Sequence, residues 1–310
     1  MEGMVSREKV GLASCPSAFY NQAMKQHPPS AILLFSCPDT KGIVAEVSHF
    51  IFTYGGNILQ SHQHNDPETN TFFMRVEWDI SDFALPREKI TQAFEPIAIK
   101  YRMDWRIEFS DRRTRMAIFV SKQDHCLYDV LLRHKEGEID ADIVMILSNH
   151  ETTRPIAEYF GVPFYYFPVN RETKEEVEEK EIALLKEHGV DLVVLARYMQ
   201  ILSPRFVNEF RNRIINIHHS FLPAFAGARP YHQAYERGVK IIGATSHYVT
   251  EDLDEGPIIE QDVVRVSHRD TVRDLMQKGK DVEKLVLSRA LKLHIDHRIL
   301  VFRNRTVIFD

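Results

Sequence analysis

Residues 190–220 read "VDLVVLARYMQILSPRFVNEFRNRIINIHHS". Two apolar runs stand in this stretch, "VDLVVLA" (190–196) and "RIINIH" (213–218). Each has the length of a strand, and neither alternates between apolar and polar residues. Such strands are buried on both faces, which marks a parallel sheet covered by helices. The pattern repeats outward. "MAIFVS" (116–121) precedes the helical "DHCLYDVLLRH" (124–134), and "ADIVMILSN" (141–149) precedes "ETTRPIAEYFG" (151–161). "PFYYFP" (163–168) is short and extended, and "TKEEVEEKEIALLKEHG" (173–189) is an amphipathic helix stopped by Gly189. "GATSHYV" (243–249) is a further strand. The alternation predicts a doubly wound, mostly parallel, Rossmann-like α/β domain over residues 116–310.

The second run ends on polar residues at Asn216, His218, His219 and Ser220. In an extended chain Asn216 and His218 face one way and His219 the other, so the adjacent histidines are not expected to share a site. A zinc reading fails on the same ground, and no third ligand has finger or HExxH spacing. His232 and His247 are the histidines that folding could bring close; no metal is expected. In an open parallel sheet ligands bind outside the carboxyl ends of the strands, where Asn216 and His218 fall. The loop "SFLPAFAGARP" (220–230), broken by Pro and Gly, is suited to shape a pocket. Asp254, in "TEDLDEGP" (250–257), is the carboxylate that would complete a proton-transfer set, held by a turn at Gly256 and Pro257.

Upstream, the order is strand, helix, strand, strand, helix, strand. "SAILLFS" (30–36) is a buried strand. In "CPDTKGIVAEVSHFIFTYGGNI" (37–58), Asp39 and Thr40 stand at a helix cap, Gly42 opens the helix, and Gly55 and Gly56 stop it. "NILQSHQHND" (57–66) and "NTFFMRVEWDI" (70–80) are strands, a helix follows from Pro86, and "YRMDWRIEFS" (101–110) closes the unit. This is the split βαβ pattern of a ferredoxin-like domain, placed at residues 30–109. Residues 1–29 read as a loose N-terminal arm, and "SDRRTR" (110–115) as the linker.

The whole chain sets further bounds. Its 310 residues are 44% hydrophobic and 27% charged, an ordinary globular composition with room for two domains. The net charge of −5, without a basic stripe, argues against nucleic acid as a partner. No apolar run is long enough to span a membrane, and the N-terminus lacks the charged start and apolar core of a secretory signal. Cys15, Cys37 and Cys126 are scattered and odd in number, which points to a reducing, cytoplasmic setting.

Two resemblances sharpen the reading. The strand followed by "CPDTKGIVAEVSHFIFTYGGNI" resembles the ACT family of small regulatory domains. That implies subunit pairing through the sheet and an amino-acid effector, methionine or glycine, near Asp39, Gly42 and Asn57. A domain that only dimerises would look the same. "NIHHSFLPAFAGARPYHQAYERG" with "GATSHYVTEDLDEGPII" resembles the folate-dependent formyltransferase family, which includes glycinamide ribonucleotide transformylases and hydrolase relatives. It implies a catalytic Asn–His–Asp set at Asn216, His218 and Asp254, with 10-formyltetrahydrofolate as substrate and no permanently bound cofactor. It also implies a pterin pocket of Tyr198, Met199, Gln200, Ile201, Leu202, His247, Val249 and Thr250. Arg197 reads as a surface ion pair or a contact to the folate's glutamate tail. The nucleotide-binding members carry a glycine-rich loop after the first strand, whereas this chain has "VSKQDHCLYD" (120–129) there. With no glycine from Met116 to Arg133 and an acidic Asp124, a phosphate cradle is not expected. Water then becomes the formyl acceptor. Transfer to glycinamide ribonucleotide or to methionyl-tRNA, and a folate sensor without turnover, remain the rival readings.

Overall fold

Strand β1 (Ser30–Pro38) is buried at every position but the last, and the fold accounts for this by covering it from two sides. The computed structural model describes residues 28–223 and 230–310. The expected N-terminal arm therefore lies outside the described residues apart from Pro28 and Pro29, as does 224–229 of the pocket-shaping loop. After β1 come α1 (Ile43–Thr53), β2 (Asn57–Asp66), β3 (Thr71–Asp79), α2 (Arg87–Tyr101) and β4 (Asp104–Phe109). The strands form one antiparallel sheet in the order β2-β3-β1-β4, the ferredoxin-like arrangement expected. The cap of α1 differs from expectation. Gly42 itself is the N-cap, with φ 96°, a left-handed conformation that glycine adopts without strain. Asp39 instead accepts a hydrogen bond from the Asn65 side-chain amide.

Leu33, Phe35, Val76 and Trp78 pack on one face of this sheet against Val47, Phe50 and Phe94 of the helices. On the other face Ile32, Leu34 and Phe73 meet Leu300 and Phe309. The latter come from the end of the chain, around the hairpin β12 (Ile299–Phe302) and β13 (Arg305–Ile308). The C-terminal residues, expected within the large domain, thus complete the core of the small one.

The large sheet collects β5 (Thr114–Val120), β6 (Ala141–Ser148), β7 (Phe164–Tyr166), β8 (Leu192–Leu195), β9 (Ile214–His218), β10 (Ile241–Tyr248) and β11 (Ile258–Arg265). Their order is β11-β10-β9-β8-β5-β6-β7. β5 to β9 run parallel, while β10 and β11 are antiparallel additions. β5 starts at Thr114, within the expected linker, because the Arg115 N–H donates to Asp191 Oδ2 at 3.0 Å. The helices are α3 (His125–Lys135), α4 (Arg154–Phe160), α5 (Lys174–Glu187), α6 (Pro204–Glu209), α7 (Pro230–Arg237) and α8 (Val272–Ile295). From β5 the chain builds β6 and β7 on one side, then returns to lay β8 and β9 on the other. The strand order therefore switches between β5 and β8, where doubly wound sheets open a crevice at their carboxyl ends. The end of α8 is tied to the small domain by buried Arg75, whose Nε donates to the His297 carbonyl at 3.0 Å. Arg75 Nη2 also donates to the carbonyl of Asp296, the C-cap of α8, at 3.3 Å, one of the carbonyls a helix end leaves without intrahelical partners.

Candidate active site

The register of β9 and β10 assembles the first part of the site. His247 lies directly opposite Asn216, and Thr245 opposite His218. His247 Nδ1 is 2.9 Å from the Tyr248 carbonyl, which can only accept, so this nitrogen carries the proton. The unprotonated Nε2 then accepts from Asn216 Nδ2 at 3.2 Å. His247 thereby fixes which way the Asn216 amide points and leaves its second N–H for the cleft.

Asp254 arrives from the turn after β10. It has φ 58°, a left-handed backbone that a non-glycine residue keeps only when its surroundings demand it. Gly256 makes the turn possible: a Cβ there would lie 1.7 Å from the Tyr248 carbonyl oxygen. The turn brings Asp254 Oδ1 to 3.2 Å from His218 Nδ1 and 3.7 Å from His247 Nε2. The first distance is a hydrogen bond and the second is too long for one. The hydrogen bond from His218, helped by its charge, holds the Asp254 carboxyl well below the usual carboxylate range against the opposing effect of burial. His218 Nε2 is buried and has no hydrogen-bond partner among the described residues.

The structure corrects the expectation for His219. β9 ends at His218, so strict alternation ends there too. The His219 ring lies 5.1 Å from that of His218 and lines the same cleft. Burial, assisted by the charge of Arg197, pushes His219 down to about 4, so it is neutral at physiological pH.

The cleft has a volume of about 540 Å³, within the range of small-molecule sites. Tyr198, Met199, Gln200, Ile201 and Leu202 form one wall, Val249 and Thr250 belong to the other, and Asn216, His218, His247 and Asp254 line it as well. Every residue expected in the pterin pocket or the catalytic set thus borders one cavity. Tyr198 and Leu202 are buried in the core, whereas Met199 and Ile201, each 59% exposed, are apolar groups open to the cleft.

The first wall rests on two carboxyls of α5. Glu178 accepts from the Ser203 N–H at 3.1 Å. Buried Glu181 lies against Tyr198, and burial with the Glu178 charge pushes it up to about 8. Below the ordinary value of 4.5 this group is protonated whether the chain is folded or not. As pH rises from 4.5 to 8 the unfolded chain ionises it and the folded one does not, so its contribution to stability is lost across that window. Glu181→Gln should flatten the decline of melting temperature over the same range, as measured by thermal denaturation. Equal declines in both proteins would mean that Glu181 is ionised in the fold.

Arg197 differs from expectation. It is only 6% exposed and has φ 63°. Its Nε donates to Gln123 Oε1 at 2.9 Å and lies 3.5 Å from Glu283 Oε2. Glu283, 1% exposed on α8, also meets His125 Nε2 at 2.8 Å and accepts from the Tyr231 hydroxyl at 2.7 Å. Sequence reasoning missed this carboxylate because a glutamate in "KDVEKLV" reads as a solvated helix face. The only local hint is Gly279 one turn earlier, where a Cβ would lie 2.0 Å from the Tyr231 hydroxyl. Donor atoms of His125, Cys126 and Glu283 come within 4.8 Å of one another, but the positive charge facing Glu283 is the Arg197 guanidinium. His232 is exposed, whereas His247 is buried in the site.

The three residues expected near an effector are not brought together within one chain. Asp39 is bonded to Asn65, near the end of β2, and Gly42 caps α1 beside Tyr101, whereas Asn57 begins β2. The strand rise separates them by about 25–30 Å. Cys37 and Cys126 are free and buried, and no helix among the described residues is long and apolar enough to cross a membrane.

Comparison with known proteins matches residues 114–291 to the formyl transferase family model. A formyltetrahydrofolate deformylase of Synechocystis is 55% identical over 280 residues, covering 90% of this chain and 98% of the relative. A crystal structure of a formyltetrahydrofolate deformylase from Pseudomonas syringae superposes with a TM-score of 0.90 at 47% identity, covering 93% and 96% of the two chains. A glycinamide ribonucleotide transformylase from Symbiobacterium toebii superposes with a TM-score of 0.61 at 33% identity, covering 65% of this chain and 97% of its own.

Proposed function

The chain belongs to the formyl transferase family, among its formyltetrahydrofolate deformylases, and on that footing we propose that Asn216, His218 and Asp254 carry the hydrolysis of 10-formyltetrahydrofolate to tetrahydrofolate and formate. The observation that carries this reading is His218: its Nδ1 is held by an ionised carboxylate, while its Nε2 is buried without a protein partner among the described residues. A buried polar atom left unpaired costs stability, and here it borders the cleft that would hold the folate.

The reaction breaks the bond between the formyl carbon and N10. Water adds to that carbon, and the carbonyl oxygen takes up the negative charge. The free N–H of Asn216 donates to this oxygen, and His218 in its protonated form supplies a second donor. As the C–N bond breaks, His218 Nε2 hands its proton to N10 and the departing amine leaves neutral. Asp254 keeps His218 oriented and favours the imidazolium. The Asp254 carboxylate orients the adding water, whose proton passes to solvent; the formic acid then ionises, and one of these two protons restores the His218 imidazolium. Atoms balance: water and the formamide give amine, formate and one proton. Neutral His219 adds no competing charge beside this oxyanion.

The exposed apolar side chains of Met199 and Ile201 suit the flat faces of a pterin, and backbone groups of residues 198–202 and 249–250 suit its ring edge. The small domain serves as the regulatory unit, binding an amino acid, methionine or glycine, beside Asp39 and Gly42. Asn57 contributes to such a site only from a second copy paired through the sheet edge at β2, which makes the working form a homo-oligomer. The transferase reading is not favoured, because the relatives covering nearly the whole chain carry the deformylase name. The test measures formate release from 10-formyltetrahydrofolate without any amine, alone and with methionine or glycine added. Release without amine, at a rate that responds to one of the two, is the expected result. A strict requirement for an amine would overturn the hydrolytic reading, and indifference to both amino acids would overturn the effector assignment.

A further inference from the structure

The crevice between β5 and β8 is where a doubly wound sheet offers its ligand site. In this chain side chains span it. Arg197, following β8, reaches Gln123, following β5, at 2.9 Å. The same guanidinium faces Glu283 of α8 at 3.5 Å, and Glu283 also holds His125 of α3 at 2.8 Å and Tyr231 of α7 at 2.7 Å. Ser121 adds a second tie across the gap, its hydroxyl oxygen accepting from the Met199 N–H at 3.0 Å. Side chains from three other parts of the chain therefore converge on one carboxylate that is 1% exposed. The packing is built for it, since Gly279 leaves the space that the Tyr231 ring occupies.

We infer that this Glu283-centred network reserves the acceptor position for water by closing the switch-point crevice to a phosphorylated amine; the inference rests on the reading that the formyl carbon sits at Asn216, His218 and Asp254. Proximity supports it, because the His219 ring lies 5.1 Å from His218 and 6.1 Å from Tyr231. Through His219 the network reaches the edge of the cleft at His218. Charge works in the same direction. The start of α3, where free backbone N–H groups would otherwise attract a phosphate, is flanked by the carboxylates of Asp124 and Glu283. A phosphate entering there would meet two negative charges, and Arg197 is already neutralised by Glu283. These residues determine specificity and take no part in bond making.

The experiment uses ribose 5-phosphate as an inhibitor of formate release from 10-formyltetrahydrofolate. Wild-type enzyme is expected to be insensitive at millimolar concentration. The double variant Arg197→Gly/Glu283→Ala removes both members of the buried pair, so no charge is left uncompensated. It should be inhibited at concentrations at least about tenfold lower, a shift of about 1.4 kcal/mol in binding. Competitive inhibition of the wild type would overturn the inference, and so would a folded double variant as insensitive as wild type. Should the double variant fail to fold, wild-type thermal denaturation with ribose 5-phosphate decides: no shift in melting temperature agrees with a closed crevice, and a rise refutes it. Hydrolysis by the wild type without amine is read separately in the same assay, so failure of the functional reading is distinguishable from failure of this one.

Discussion

His218→Ala is expected to slow formate release by about 10³-fold, within the range that a positioned general acid contributes, with KM changed only a few-fold. The reason is the division of labour in the cleft. The walls of residues 198–202 and 249–250, which we assign to the pterin, do not depend on the imidazole, so folate binding is expected to survive its removal. What is lost is a buried nitrogen at the cleft that has no protein partner among the described residues, which we assign as the donor to the developing oxyanion and to N10. Asn216→Ala should cost about 10²–10³-fold, the usual loss for a single oxyanion donor. The two losses will not add, because both residues act on the same oxygen. Asp254→Asn should approach the His218→Ala loss, since an amide can hold Nδ1 in place but cannot favour the imidazolium. Steady-state kinetics on the single and double variants provide the check. A His218→Ala enzyme with near-normal turnover would remove the residue from the mechanism, and strictly multiplicative losses in the double variant would show that the two residues do not act on the same oxygen.

Acidification between pH 6.5 and about 4 is expected to destabilise the fold steeply, through three histidines kept neutral inside it. Burial is the leading cause in each, pushing His219 to about 4, His294 to about 3 and His297 to about 4. His294 adds a specific reason: its Nδ1 lies 2.7 Å from the Tyr248 hydroxyl and serves as that donor's acceptor, a role the doubly protonated ring cannot fill. His297 has Arg106 and Arg75 beside it, whose charges oppose a third. Above 6.5 neither folded nor unfolded chain carries these protons, and stability is unaffected. Below it the unfolded chain takes them up while the folded one does not, so each site costs about 1.4 kcal/mol per pH unit. Glu181 works in the opposite sense over part of this range, because stability rises as the unfolded chain reprotonates it toward 4.5. One carboxyl offsets one of the three histidines, and the net slope remains strongly unfavourable. Asp254 enters only at lower pH, since its lowered carboxyl stays ionised until the medium falls below the ordinary carboxylate range. Melting temperatures at pH 7 and 4.5 test this. His294→Gln/His297→Gln should lose less than half as much over that interval as wild type, and an unchanged loss would show that other groups control acid unfolding.

Both of these histidines lie at the junction of the two sheets, where Arg75 and Arg106 of the small domain hold carbonyls of residues 297 and 299. Acid destabilisation should therefore begin where the domains meet, near the end of α8. The same helix carries Glu283 at the crevice and His294 beside Tyr248, so loosening its end reaches the back of the active site through a single rigid element.

Periodicity was enough to determine the two sheets, and the family was legible in the resemblance carried by "NIHHSFLPAFAGARPYHQAYERG" and "GATSHYVTEDLDEGPII". Runs such as "VDLVVLA" and "RIINIH" have no amphipathic alternation, so they belong inside a helix-covered parallel sheet. Asn216 and His218 could be placed at a strand end because the sheet's carboxyl edge is where polar residues interrupt apolar runs. Local patterns could not reveal what depended on distant partners. His219 joined the cleft because β9 stops one residue earlier, a boundary set by packing. Arg197 and Glu283 look like surface charges in sequence, and only the meeting of β8 and α8 buries them face to face. The C-terminal hairpin likewise reads as part of the large domain, although β1, with the unbroken apolar run "AILLF", already required a second cover. Short-range periodicity encodes which face of an element is buried; which element covers it is decided by contacts between residues far apart in the chain, and that choice belongs to the tertiary structure.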